Sequence, residues 1–94
     1  MDLNDLKAAI RFRCRILPLT VEEVQVVPEV RKEPGNRAYV MCRSKKDSRV
    51  FVFYEEYVDD DAVAVHRKHL GELVNLAALL DGEPQVEFLE KLAG

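Results

Sequence analysis

The chain lacks the features that mark metal proteins, membrane proteins and nucleic-acid binders. Its two cysteines, Cys14 and Cys42, fall in separate strand-like runs with no CxxC or mixed Cys/His spacing. Both therefore read as buried free thiols of a reducing compartment. The longest wholly apolar run, "VFVFY", has five residues, far short of a membrane span or a signal-peptide core. A cytoplasmic protein with no membrane partner is expected. Cations are not in surplus: 14 Lys and Arg stand against 17 Asp and Glu, a net charge of −3, so the basic surface of a nucleic-acid binder is missing. Fixed-period repeats and low-complexity tracts are also missing. What remains is an ordinary globular composition, 48% apolar over 94 residues. That length supports one domain spanning 1–94, with residues 1–7 as an N-terminal extension, and burial of roughly 60–65% of the unfolded surface.

Periodicity supplies the elements. In "AAIRFRCRIL", Ile10, Phe12, Cys14 and Ile16 alternate with Arg11, Arg13 and Arg15, a period of two that gives two faces only in a strand. "TVEE" then starts a helix, with Thr20 as cap and Glu23 returning the bond. Val21, Val24 and Val27 form its apolar side, and Pro28 should keep it short or kinked, ending near Lys32. After the breaker "EPGN" come a second strand over Arg37–Arg43, the turn "SKKDS" and a third strand "RVFVFYEEY". Asp59, Asp60 and Asp61 suit the start of a long helix with apolar positions Val63, Leu70, Leu73, Ala77 and Leu80, closing at Gly82. Gly71 inside it suggests a close packing contact. "PQVEFLEKL" is the last strand. The order βαββαβ predicts a ferredoxin-like α+β sandwich, a four-stranded antiparallel sheet with two helices on one face. Because "VFVFY" is bulky on both sides, the other sheet face should be covered by a second copy of the chain.

The charged stretch "FYEEYVDDDAVAVHRKH" looks like a site, yet most of it reads as structure. Glu55 and Tyr57 share one side of the third strand and Glu56 lies on the other. The aspartates serve better as a helix cap than as calcium ligands, since no turn glycine and distal Glu follow at the required spacing. His66 and His69 lack a third ligand for zinc, so no metal site is expected. His66 fills the one gap in the apolar stripe of its helix. It is either a buried, hydrogen-bonded histidine or a group facing a cavity. The three arginines of the first strand can pair with Glu55 or Glu56 on one side and with Glu87 or Glu90 on the other, or one of them can meet an anion.

Taken together, "KEPGNRAYVMCR", "RVFVFYEEYVDDDAVAVH" and "PQVEFLEKL" resemble the antibiotic biosynthesis monooxygenase family, which includes quinol monooxygenases. The marks are Glu33-Pro34-Gly35, Tyr39, Tyr54-Glu55-x-Tyr57, Asp60, Ala62 and His66. The resemblance implies a homodimeric α/β barrel formed through the sheet faces, with a cavity between each chain's sheet and helices. It also implies oxidation of a quinol or phenolic aromatic by O2 without metal or organic cofactor. On that reading His66 accepts or relays the phenolic proton, Tyr57 bonds or stacks on the ring, and Glu55 orients His66. Phe51 and Phe53 line the cavity, Arg13 stabilises the anion, and Tyr39 and His69 complete the substrate contacts. The chain has no tryptophan, which argues against the branches that oxidise polycyclic aromatics or open haem. The alternatives are a non-catalytic dimeric module that binds a small ligand, and a small-molecule isomerase of the same family. RNA binding through the third strand is disfavoured, because Val50 and Val52 occupy positions that base stacking leaves small.

Overall fold

The computed structural model describes residues 8–18 and 23–93, without the side chains of residues 23–25. The elements are β1 (Ala8–Arg15), α1 (Glu23–Arg31), β2 (Asn36–Arg43), β3 (Val50–Tyr57), α2 (Asp60–Leu73), α3 (Leu76–Leu79) and β4 (Gln85–Glu90). All strand pairs are antiparallel in the order β2-β3-β1-β4. This is the expected ferredoxin-like α+β arrangement, with β1 between β3 and β4. Among the described residues the helices number three rather than two.

Alternation decides which side chains meet the helices. Residues directly opposite in an antiparallel pair share a face. Ile10 is opposite Glu55 and Phe88, Phe12 is opposite Phe53 and Val86, and Tyr39 is opposite Glu55. Along β3, Phe51, Phe53, Glu55 and Tyr57 are buried, whereas Val52, Tyr54 and Glu56 are partly exposed. One cluster joins Cys14, Ile16, Tyr39, Phe51 and Phe53 to Val26 and Val30 of α1. A second joins Ile10, Tyr57 and Val63. The buried face of α1 is thus Val26 and Val30. Thr20 and Val21 lie outside the described residues, as does the side chain of Val24. Pro28 sits inside this nine-residue helix, where its missing N–H removes one backbone bond. Among the described residues, no helix is long and apolar enough to cross a membrane.

Cys14 is buried as expected, whereas Cys42 is exposed; three further expectations change. The long second helix breaks at Val74, whose backbone is extended (φ −142, ψ 150). A separate turn, α3, follows and is tied to the end of β1: Leu17 donates to the Leu79 carbonyl at 2.9 Å and Asp81 to the Arg15 carbonyl at 2.7 Å. Gly82 does adopt positive φ, 89°, but it follows this short helix. The arginine ladder does not form as expected either. Arg15 pairs with Asp47 at 3.5 Å, and Glu56 is held by Lys91 at 2.6 Å. No described ion pair joins Arg11 or Arg13 to a glutamate.

The third change concerns Gly71. A Cβ built there meets nothing within 4 Å, whereas one at Gly35 collides with the Ala62 side chain at the start of α2. The close approach lies in the Glu33-Pro34-Gly35 turn. Gly71→Ala is therefore expected to stabilise the fold by about 1 kcal/mol through helix propensity. Gly35→Ala should destabilise it by roughly 1–3 kcal/mol through overpacking. Chemical denaturation of both variants checks the pair, and equal shifts of one sign would contradict it.

Candidate active site

Between the helices and the inner sheet face lies a cavity of about 780 Å³. Its walls are mostly aliphatic and aromatic, from Ile10, Phe12 and Phe53 on the sheet to Leu70, Val74 and Leu79 on the helices. Gly71 borders it, which explains the open space around that residue. Polar groups gather at one end, where Tyr39, Glu55, His66 and Arg67 also line the wall.

Local sequence places each of them. Asp59 takes an extended conformation, and its carboxylate accepts from the Ala62 N–H at 2.8 Å. That cap starts α2 in the register that buries Val63 and His66. The turn after α1 is closed by Glu33 N–H to the Val30 carbonyl at 3.0 Å and Asn36 N–H to the Glu33 carbonyl at 3.1 Å. Val58 N–H then bonds the Gly35 carbonyl at 2.9 Å, fastening the turn to the end of β3. Glu33 thereby comes to lie against α2.

The polar groups form a continuous chain. Tyr57 Oη donates to Glu55 Oε1 at 2.7 Å, and His66 Nε2 lies 3.3 Å from the same oxygen. His66 Nδ1 lies 3.2 Å from both Glu33 oxygens. Glu33 Oε2 also meets His69 Nδ1 at 2.6 Å. The Tyr57 and Tyr39 rings flank the imidazole at centroid distances of 5.0 and 5.7 Å. Glu33, Glu55 and His66 are all buried, at 8%, 3% and 4% exposure, so each ionisable group depends on its neighbours for solvation.

Burial raises the Glu55 carboxyl from 4.5 to about 7, against the opposing hydrogen bond from Tyr57. Burial likewise lowers the His66 imidazole, although Glu33 pulls the other way. Proton counting links the two shifts. With Nδ1–H donated to Glu33, Nε2 of neutral His66 is an acceptor facing Glu55, so the contact is favourable when one proton lies between them. That proton resides on Glu55 or on His66, and the pair shares it. Glu55 Oε2 has no partner among the described residues. Tyr39 is buried, 4% exposed as a residue, and its hydroxyl has no hydrogen-bond partner among them either. Burial, followed by Glu55 and Glu33, raises its pKa, so it remains a donor at ordinary pH.

Of the residues singled out in the sequence, His66, Glu55, Phe53 and Tyr39 line the cavity together. Tyr57 lies behind Glu55, fully buried, and reaches the cavity through it. Phe51 belongs to the core, beneath the Arg43 guanidinium at 5.2 Å, and does not line the wall. Arg13 is exposed and opposite Val52 and Gln85, on the sheet face turned away from the cavity. It cannot stabilise an anion bound there. His69 points to the other side of α2, into a separate groove. Sequence reasoning gave no role to Glu33 or Arg67. Arg67, over the Phe88 ring at 5.3 Å, is the cation at the cavity wall. Its spacing from Leu70 and Gly71 on α2, and from Val74 at its end, marks one helix side. Among the described residues, no group of three or more His, Cys, Asp or Glu is arranged to hold a metal ion.

The fold and this site define a ferredoxin-like α+β domain with an apolar cavity closed at one end by a proton-sharing carboxyl–imidazole pair. Residues 21–71, just over half the chain, match the antibiotic biosynthesis monooxygenase family, and the chain belongs to that family. It is similar to an antibiotic biosynthesis monooxygenase of known structure at 26% identity and TM-score 0.79, covering 92% of this chain and 99% of that one. A conserved protein from Methanosarcina mazei has the same fold at 20% identity and TM-score 0.72, over 96% and 97% of the two chains. So does a conserved protein of unknown function from Bacteroides thetaiotaomicron, described as a "possible oxidoreductase", at 23% identity and TM-score 0.71 over 89% and 96%. No curated protein matches the chain.

Proposed function

We propose that the protein is a cofactor-independent monooxygenase that oxidises a quinol or phenolic aromatic with O2. The observation that carries this reading is Glu55: a buried, cavity-lining carboxyl raised to about 7, with Oε2 open and Oε1 held by Tyr57 and His66. General bases work best with a pKa near the operating pH. The substrate hydroxyl gives its proton to Glu55 Oε2, and His66 shares the added proton. Tyr39, directly across the strand pair from Glu55, donates its unpartnered O–H to the developing phenolate, the part first assigned to Arg13. The electron-rich ring then reduces O2. One oxygen atom enters the ring and the other leaves as water with two hydrogens from the substrate, so no external reductant is needed. The apolar walls keep competing water away from the anion.

The same proposal includes a homodimer through the outer sheet face. That face carries Val40, 44% exposed, beside Val52 and Tyr54. Oxygen uptake with a panel of benzene and naphthalene hydroquinones, corrected for autoxidation, tests the chemistry, and saturable uptake is expected with at least one. Saturable binding without uptake for every member would instead mark a ligand-binding module. Sedimentation should give twice 10.8 kDa, and a monomer mass would remove the dimer.

A further inference from the structure

The hydrogen-bonded chain does not stop at the cavity. Beyond His66 it passes through Glu33 to His69, and side-chain exposure rises along it from 4% at Glu55 and 5% at His66 to 6% at Glu33 and 31% at His69. His69 opens into a second groove, lined also by Glu29, Lys32, Pro34, Lys68 and Glu72. Glu33 borders that groove too, so one carboxylate touches the buried imidazole and the exposed one at once. The cavity and the groove have no lining residue in common. They are joined by this chain.

We infer that Glu33 and His69 form a proton path connecting the buried Glu55–His66 pair with solvent in the outer groove. The inference takes from the proposed oxidation only that the pair holds a transferable proton. Once an aromatic fills the cavity, Glu55 has no water on that side, and the pair can exchange protons with solvent only through Glu33. The transfers balance as follows. Glu55 gives its proton to His66 Nε2, and His66 releases the Nδ1 proton to Glu33. Glu33 passes it to His69 Nδ1, and His69 loses the Nε2 proton to water. One proton moves and no electrons do. Running in reverse, the path restores both imidazole tautomers and returns a proton to the pair. The charged and titratable groups around His66 are Glu33 from the turn after α1, Tyr39 from β2, Glu55 and Tyr57 from β3, and Arg67 and His69 from α2. Of these, only His69 combines contact with Glu33 and exposure to the groove.

The test follows exchange of the His66 Nδ1 proton with water by nitrogen-15 NMR. Glu55→Gln provides the background, because an amide cannot relay a proton from the cavity side and the Nδ1 proton itself faces Glu33. Into it are placed His69→Phe, which plugs the groove end, and His69→Gln, which can keep a hydrogen bond to Glu33 without relaying. His69 is partly exposed, so both variants should fold, as melting checks. The path requires exchange to slow about tenfold or more in both. Unchanged or faster exchange in either overturns it. Slowed exchange in a protein that oxidises no quinol keeps the path and removes only the monooxygenase reading, so the two failures are distinct.

Discussion

Glu55→Gln is expected to abolish turnover while making the fold more stable above neutral pH. Removing the proton acceptor should lower kcat by roughly 100- to 10,000-fold. The stability gain follows from the sign of the pKa shift. Folding raises the Glu55 pKa from 4.5 to about 7, so between those values the folded chain holds a proton that the unfolded chain has lost. Stability supplied by this group is therefore complete below pH 4.5 and is lost as the pH rises through 7. The full shift corresponds to about 3 kcal/mol. Glutamine has no such limb. The variant's advantage over the parent should grow from pH 4.5 to 7 and then level off. His66 acts in the opposite sense, since burial lowers its pKa from 6.5. Its contribution is present above 6.5 and is lost as the pH falls, and comparing parent with variant reads the limb that Glu55 brings to the proton-sharing pair. Urea unfolding at pH 5 and pH 8 reads the effect. An advantage independent of pH would show that Glu55 is not the group being raised.

His66→Ala is expected to damage fold and activity together. The imidazole stands between two buried carboxyl groups, 3.2 Å from Glu33 and 3.3 Å from Glu55. Deleting it leaves both facing a void with no shared proton, and breaking a buried charged pair typically costs about 3–5 kcal/mol. His66→Gln, which can donate at one end and accept at the other, should recover much of the stability while leaving the proton-sharing function lost. Thermal melts with parallel oxygen uptake separate the two. If the alanine variant melts with the parent, the histidine is not the support that its contacts suggest.

How much of this was legible in the sequence depends on the range of the contacts involved. The faces of β1 and β3 follow from alternation alone, so the company of Phe53, Glu55 and Tyr57 was readable. The same alternation already separates Arg13 from Ile10, Phe12 and Cys14. Its assignment to the cavity followed its charge rather than its parity. Phe51 has the right parity but lies at the other end of the strand, where Cys14 and Arg43 are its register partners, and parity cannot say where along a strand a cavity begins. The Asp59 cap and the His66 gap are local and could be read. Glu33 could not, because its burial depends on histidines 33 and 36 residues away. The break at Val74 was hidden because the apolar spacing continues through it. What stops the helix is the attachment of α3 to the end of β1, a contact between distant parts of the chain.

That attachment divides labour within the domain. The proton-handling end of the cavity is built on β2, β3 and the first turns of α2, whereas Val74, Leu76, Leu79 and Leu80 of the far wall come from a short segment fastened to a different strand. Substitutions in residues 74–80 can reshape what fits without disturbing Glu55, His66 or Glu33. In this domain, changes confined to one short peptide segment would alter what the cavity admits while the groups around His66 keep their places.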